Sequence, residues 1–265
     1  MRLPRFRVVL LIGRLCGCGL FGLLLLAFSG PNLRAQNHAD GPYYARRNTF
    51  GFFSAYSNDS SHMLLGESEN RKLFELGASW DRRLMLGHVV NWQYSIEVLP
   101  VALESDPVET VTQIITLTNP PPGYPTTTTE TVQEVNAQAC HPSSGSGTFP
   151  GLYTYTYTST CGRRWTMGEA MSPIGFQWNF LPRRTLQPFA VGHGGYMFST
   201  QPIPTTGAGS FNFTFDFGAG VELFLTRSQS IRAEYRYHHT SNAYTAHDDP
   251  GIDNGLFQLT WAFGR

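Results

Sequence analysis

Apolar and polar residues alternate with a period of two along much of this chain. Val90, Trp92, Tyr94, Ile96 and Val98 are interleaved with Asn91, Gln93, Ser95 and Glu97, and Phe74, Leu76, Ala78 and Trp80 with Glu75, Gly77, Ser79 and Asp81. Ile174, Phe176, Trp178 and Phe180 alternate with Gly175, Gln177 and Asn179. The longest run lies between Phe211 and Leu225, where Phe213, Phe215, Phe217, Ala219, Val221 and Leu223 oppose Asn212, Thr214, Asp216, Gly218 and Glu222. Successive side chains of a strand point to opposite faces, so each run predicts a strand with one apolar and one polar side. Further segments near Thr49 to Ser57, Gln187 to Ser199, Ser230 to His239 and Gly255 to Gly264 bring the count to about eight. An even number of such strands closes into a small antiparallel up-and-down barrel.

Two all-β barrels satisfy this pattern. In a soluble, lipocalin-like barrel the apolar rows line the interior; in a transmembrane barrel they face lipid, and the polar rows fill the lumen. Several segments reach the roughly 9 to 11 residues that a tilted spanning strand needs. Under the membrane reading the inward set includes Glu75, Glu97, Asp216, Glu222, Arg232, Glu234 and Arg236, charges of both signs able to pair. Trp80, Trp92, Trp178, Tyr196, Tyr235, Tyr237 and Trp261 are then candidates for interfacial girdles.

Composition removes other classes. The formal net charge is +0, with 14% charged and 14% aromatic residues. Such a chain offers no basic face for nucleic acid and is too aromatic for a disordered coil. Arg2, Arg5, Arg7 and Arg14 precede an apolar run from Leu15 to Phe28, and Leu33-Arg34-Ala35 supplies a cleavage site before Gln36. Residues 1–35 are therefore expected to be a secretory signal peptide, leaving residues 36–265 as the barrel. Cys140 and Cys161 then remain as an even pair in an oxidising compartment, and are expected to form a disulfide. Both lie in the 104–164 segment, whose Thr, Pro and Ser content predicts a long polar loop insertion, with a short hairpin at Thr148 to Thr158. By strand count it joins the third strand to the fourth, on the side of the barrel where long loops belong.

Chemistry-bearing residues gather in EYRYHHTSNAYTAHDDPGID, residues 234–253. A serine hydroxyl is a poor nucleophile at neutral pH; an imidazole must take its proton, and a carboxylate must orient that imidazole. His239 and Ser241, two apart on an extended strand, share a face, and Asp253 returns on the next strand after a turn at Asp249-Pro250-Gly251. These three residues form a candidate triad. Their parity matches Ile231, Ala233, Tyr235 and Tyr237 on one strand and Phe257, Leu259, Trp261 and Phe263 on the other, which is the apolar side. His238, adjacent to His239 and so on the opposite face, reads as a lumen residue; no metal and no cofactor are expected.

The string His-x-Ser-Asn-Ala, the Asp-Pro-Gly-Ile turn, the acidic residue after it and a final strand with Trp261 and Phe263 resemble the lipid A 3-O-deacylase (PagL) family of outer-membrane acyl hydrolases. The resemblance is specific over roughly residues 231–265 and architectural before that. It implies an active site on the barrel wall facing the outer leaflet, and hydrolysis of an ester-linked 3-hydroxyacyl chain from lipid A of lipopolysaccharide in a Gram-negative outer membrane. On this reading His239 is the general base, Ser241 the nucleophile and Asp253 the residue that orients the imidazole, with Asn242 a candidate oxyanion donor. The family usually carries glutamate where this chain has Asp253, one methylene shorter, and Asp248 and Asp249 stand nearby as substitutes. A non-catalytic barrel with a structural or passive binding role is the rival reading, and homodimerisation is left open.

Overall fold

The protein is described by a computed structural model over residues 43–265; the expected signal peptide lies outside the described residues. Ten strands follow one another: β1 (Asn48–Ser57), β2 (Lys72–Leu86), β3 (Val90–Leu117), β4 (Thr127–Glu134), β5 (Ser143–Phe149), β6 (Tyr153–Phe180), β7 (Leu186–Ser199), β8 (Phe211–Phe224), β9 (Gln229–Ser241) and β10 (Ile252–Gly264). Every pairing is antiparallel, in the order β4-β3-β2-β1-β10-β9-β8-β7-β6-β5, and an additional β3–β6 pairing closes eight of the ten into a ring. Closure removes the free edges that an open sheet would leave.

The alternation in the sequence decides which way the barrel faces. Phe50, Phe52, Phe217, Tyr235, Phe257, Leu259 and Trp261 are exposed on the outside. Glu75, Glu97, Asp216, Glu222, Arg232, Glu234 and Arg236 are all buried. A soluble barrel has the reverse arrangement; greasy outside and charged inside is the solution for a protein whose solvent is lipid. Two lumen arginines are paired with carboxylates: Arg232 lies 2.7 Å from Asp81 and 3.3 Å from Glu222, and Arg236 lies 2.8 Å from Glu97 and 3.0 Å from Glu234. These charged side chains lie inside the barrel. It is a transmembrane β-barrel whose working surfaces are its wall and its ends.

The two ends differ. Connections at one end are short, residues 87–89, 181–185 and 225–228; those at the other are long, residues 58–71, 118–152, 200–210 and 242–251. At the long-loop end the 104–164 segment departs from the expected polar loop. β3 and β6 continue their pairing past the barrel to Leu117 and Tyr153, and β4 and β5 add to their outer edges. The result is a four-stranded extension projecting roughly 40 Å at about 3.3 Å per residue. The alternation of Thr154, Thr156 and Thr158 with Tyr153, Tyr155 and Tyr157 makes a sheet with no buried face of its own, so its apolar period is weak. Cys140 and Cys161 are joined by a disulfide, which fastens the β4–β5 connection to β6.

Candidate active site

β9 ends and β10 begins at the long-loop end, and their register sets the site. His239 and Asp253 are direct cross-strand partners. Facing positions on one side of an antiparallel pair bring side chains within contact distance, and His239 Nδ1 lies 2.7 Å from Asp253 Oδ1. The aspartate thus reaches the imidazole without the extra methylene of a glutamate. Phe215, on β8 opposite His239, packs against the other side of the ring at a centroid distance of 5.1 Å.

Asp253 points to the lipid side by parity yet is 0% exposed. The β1–β2 loop, residues 58–71, covers it. That loop folds onto the start of β10 through bridges of Ser60 with Asn254 and Ser68 with Ile252. Leu64 N and Leu65 N donate to Asp253 Oδ2 at 2.7 and 2.9 Å, while the Tyr237 hydroxyl donates to Oδ1 at 2.7 Å. A carboxylate so supplied with donors is held as the anion in one orientation. Two glycines permit the approach. A Cβ at Gly66 would lie 2.5 Å from the Asp253 backbone nitrogen and 2.9 Å from its carboxyl carbon. Gly251, at φ +59°, adopts a backbone that favours glycine, and a Cβ there would lie 3.0 Å from His239 Cε1.

Ser241 is the last residue of β9, half-buried, on the same face as His239 and paired across to Phe213. Among the described residues its hydroxyl has no hydrogen-bond partner, so the structure joins base to acid and leaves the serine beside them unjoined. Asn242 is buried in the following turn. Its side-chain amide donates to the Asp248 carbonyl at 2.6 Å and its backbone N–H donates to Asp249 Oδ1 at 3.0 Å. This is turn chemistry, and it directs the side-chain amide of Asn242 to the backbone. Asp249 also accepts from Tyr244 N, and Asp248 from Thr205. Both aspartates belong to the turn, and Asp253 is the carboxylate at His239.

Sequence reasoning missed the loop donors because backbone N–H groups carry no residue signature. It placed Tyr237 among girdle aromatics; its shared parity with His239, two residues on, was the available sign of a role at the site. A second constellation lies in the lumen, where His193 stands 3.1 Å from both Asp216 and Ser95. Glu97, His193 and Asp216 also have metal-ligating atoms within 4.8 Å of one another. Arg236 already supplies the cation there, with Nη1 at 2.9 Å from Glu97, 3.2 Å from His193 and 3.4 Å from Asp216. Each of these groups is buried inside the barrel, away from any lipid substrate.

Residues 134–262 match the sequence model of the lipid A 3-O-deacylase (PagL) family. The match covers just under half of the chain. It contains His239, Ser241 and Asp253, and it leaves the β1–β2 loop outside the match. No curated protein matches the chain. Among solved structures the chain is similar to the outer membrane enzyme PagL, with 13% identity, 81% of this chain and 99% of that one covered, and a TM-score of 0.46. Neisserial surface protein A gives 10% identity, 82% and 97% coverage and a TM-score of 0.40. The outer membrane protein OprG from Pseudomonas aeruginosa gives 8%, 85% and 100%, and 0.42.

Proposed function

We propose that the protein is an outer-membrane esterase that removes an ester-linked 3-hydroxyacyl chain from lipid A. The observation that carries this reading is the 2.7 Å contact between His239 and Asp253 on the lipid-facing wall, with Ser241 on the same face. A water-soluble substrate could not reach such a wall, whereas a lipid in the same leaflet lies against it. His239, its Nδ1 held by Asp253, uses Nε2 to take the proton of Ser241; the serine oxygen attacks the ester carbonyl and expels the sugar hydroxyl, which takes that proton back. Water, deprotonated by the same imidazole, then releases the fatty acid and restores the serine. Substrate contact closes the remaining step from Ser241 to His239, since catalytic hydrogen bonds often tighten only in the complex.

The test is covalent. Purified, folded protein in detergent is treated with a long-chain alkyl fluorophosphonate and digested, and the labelled residue is located by peptide mass spectrometry. Labelling at Ser241 that disappears in His239→Ala is the expected result. An unlabelled Ser241 in protein that retains its folded barrel would favour the non-catalytic reading.

A further inference from the structure

The β1–β2 loop does two things with the same residues. The backbone N–H groups of Leu64 and Leu65 hold Asp253, while the side chains of Met63, Leu64 and Leu65 are 41%, 66% and 62% exposed. Three consecutive apolar side chains in the open are costly in water. Here they sit at the top of the lipid-facing wall, two hydrogen bonds from the imidazole through Asp253. The loop cannot drift, because its base is fixed. Ser60 Oγ donates to the Ser68 carbonyl at 2.7 Å, Glu67 N to the Pro250 carbonyl at 2.6 Å and Ser68 N to the Gly251 carbonyl at 3.1 Å.

We propose that Met63–Leu65 is an acyl-chain contact built onto the anchor of the acid, so that the residues gripping the hydrocarbon of a lipid ester also hold Asp253 in line with His239. The inference rests on the esterase reading and adds to it a determinant of chain length. Gly66 is the positioning residue that makes the anchor possible, since any side chain there collides with Asp253. Leu64 and Leu65 select the substrate, favouring esters of long acyl chains over short ones. Their loop lies outside the residues that match the family.

The experiment compares kcat/KM for a 14-carbon and a 4-carbon p-nitrophenyl ester, using full-length protein in detergent and heat-modifiable migration as the check on folding. Leu64→Ser/Leu65→Ser is expected to reduce the long-to-short ratio by about tenfold or more, the scale of two lost apolar contacts, while Leu64→Met/Leu65→Met keeps it. Gly66→Ala is expected to reduce kcat for both esters alike, leaving the ratio in place. An unchanged ratio in the serine variant overturns the contact, and an unchanged kcat in Gly66→Ala overturns the anchor. Binding of a non-hydrolysable 14-carbon alkyl ether to Ser241→Ala protein, with and without the loop substitutions, separates this inference from the reading beneath it. Weaker ether binding in the loop variant supports the contact whatever the serine does, and equal binding removes it; hydrolysis that survives Ser241→Ala removes the serine mechanism alone.

Discussion

At the scale of single residues, the site is organised around one carboxylate. Asp253 receives His239, Tyr237 and two loop amides, so its orientation is set by four donors and the imidazole's by Asp253 in turn. The donors differ in what their loss should do. Asp253→Asn replaces an acceptor with a donor facing His239 Nδ1 and favours the wrong tautomer; on the proposed triad mechanism kcat should fall by about 10³- to 10⁴-fold. Tyr237→Phe removes one hydrogen bond of four and should reduce kcat only about tenfold, with KM unchanged. Steady-state kinetics on a lipid ester check both, and equal effects of the two substitutions would contradict the ordering. The placement of His239, Ser241 and Asp253 on one face was legible in the sequence because strand parity and a turn suffice to bring them there. Asn242 was less so: adjacency to the serine suggested an oxyanion donor, whereas the turn takes its amide for Asp248.

At the scale of elements, the eight ring strands were legible because each must present a continuous apolar row to lipid, and that row is what a period of two records. The extension of β3 and β6 was not. Its threonines and tyrosines alternate without a buried side, so composition alone resembles a loop. Equally hidden was the way the long loops hold one another. Arg71 is fully buried between β1 and β2, donates to the Asn136 carbonyl at 2.5 Å, the Ala137 carbonyl at 2.9 Å and the Pro204 carbonyl at 3.0 Å, and lies 3.5 Å from Asp106. One guanidinium thus ties the β1–β2 loop to the base of the extension and to the β7–β8 loop. Burial pulls its pKa below the usual arginine value, and Asp106 and Glu104 oppose that fall. Removing a partner from such a buried network costs about 3–5 kcal/mol. Arg71→Ala should therefore expose the β1–β2 loop to protease and reduce esterase activity while the barrel keeps its heat-modifiable migration. Limited proteolysis with the gel assay checks this, and an unaltered cleavage pattern would contradict it.

At the scale of the whole molecule, the barrel's inside-out pattern and the place of the site are one fact. Among the described residues, the Arg232–Asp81 and Arg236–Glu97 pairs stand inside the barrel, and the His239–Asp253 pair stands on the outer wall at the long-loop end. The proposed esterase acts on the membrane that holds it. The central claim is tested by mass spectrometry of lipid A from a Gram-negative host expressing this chain, beside an equally abundant, folded Ser241→Ala variant. Loss of one hydroxyacyl mass only with the unaltered chain is the predicted result; identical lipid A from both, with folding shown, would contradict it.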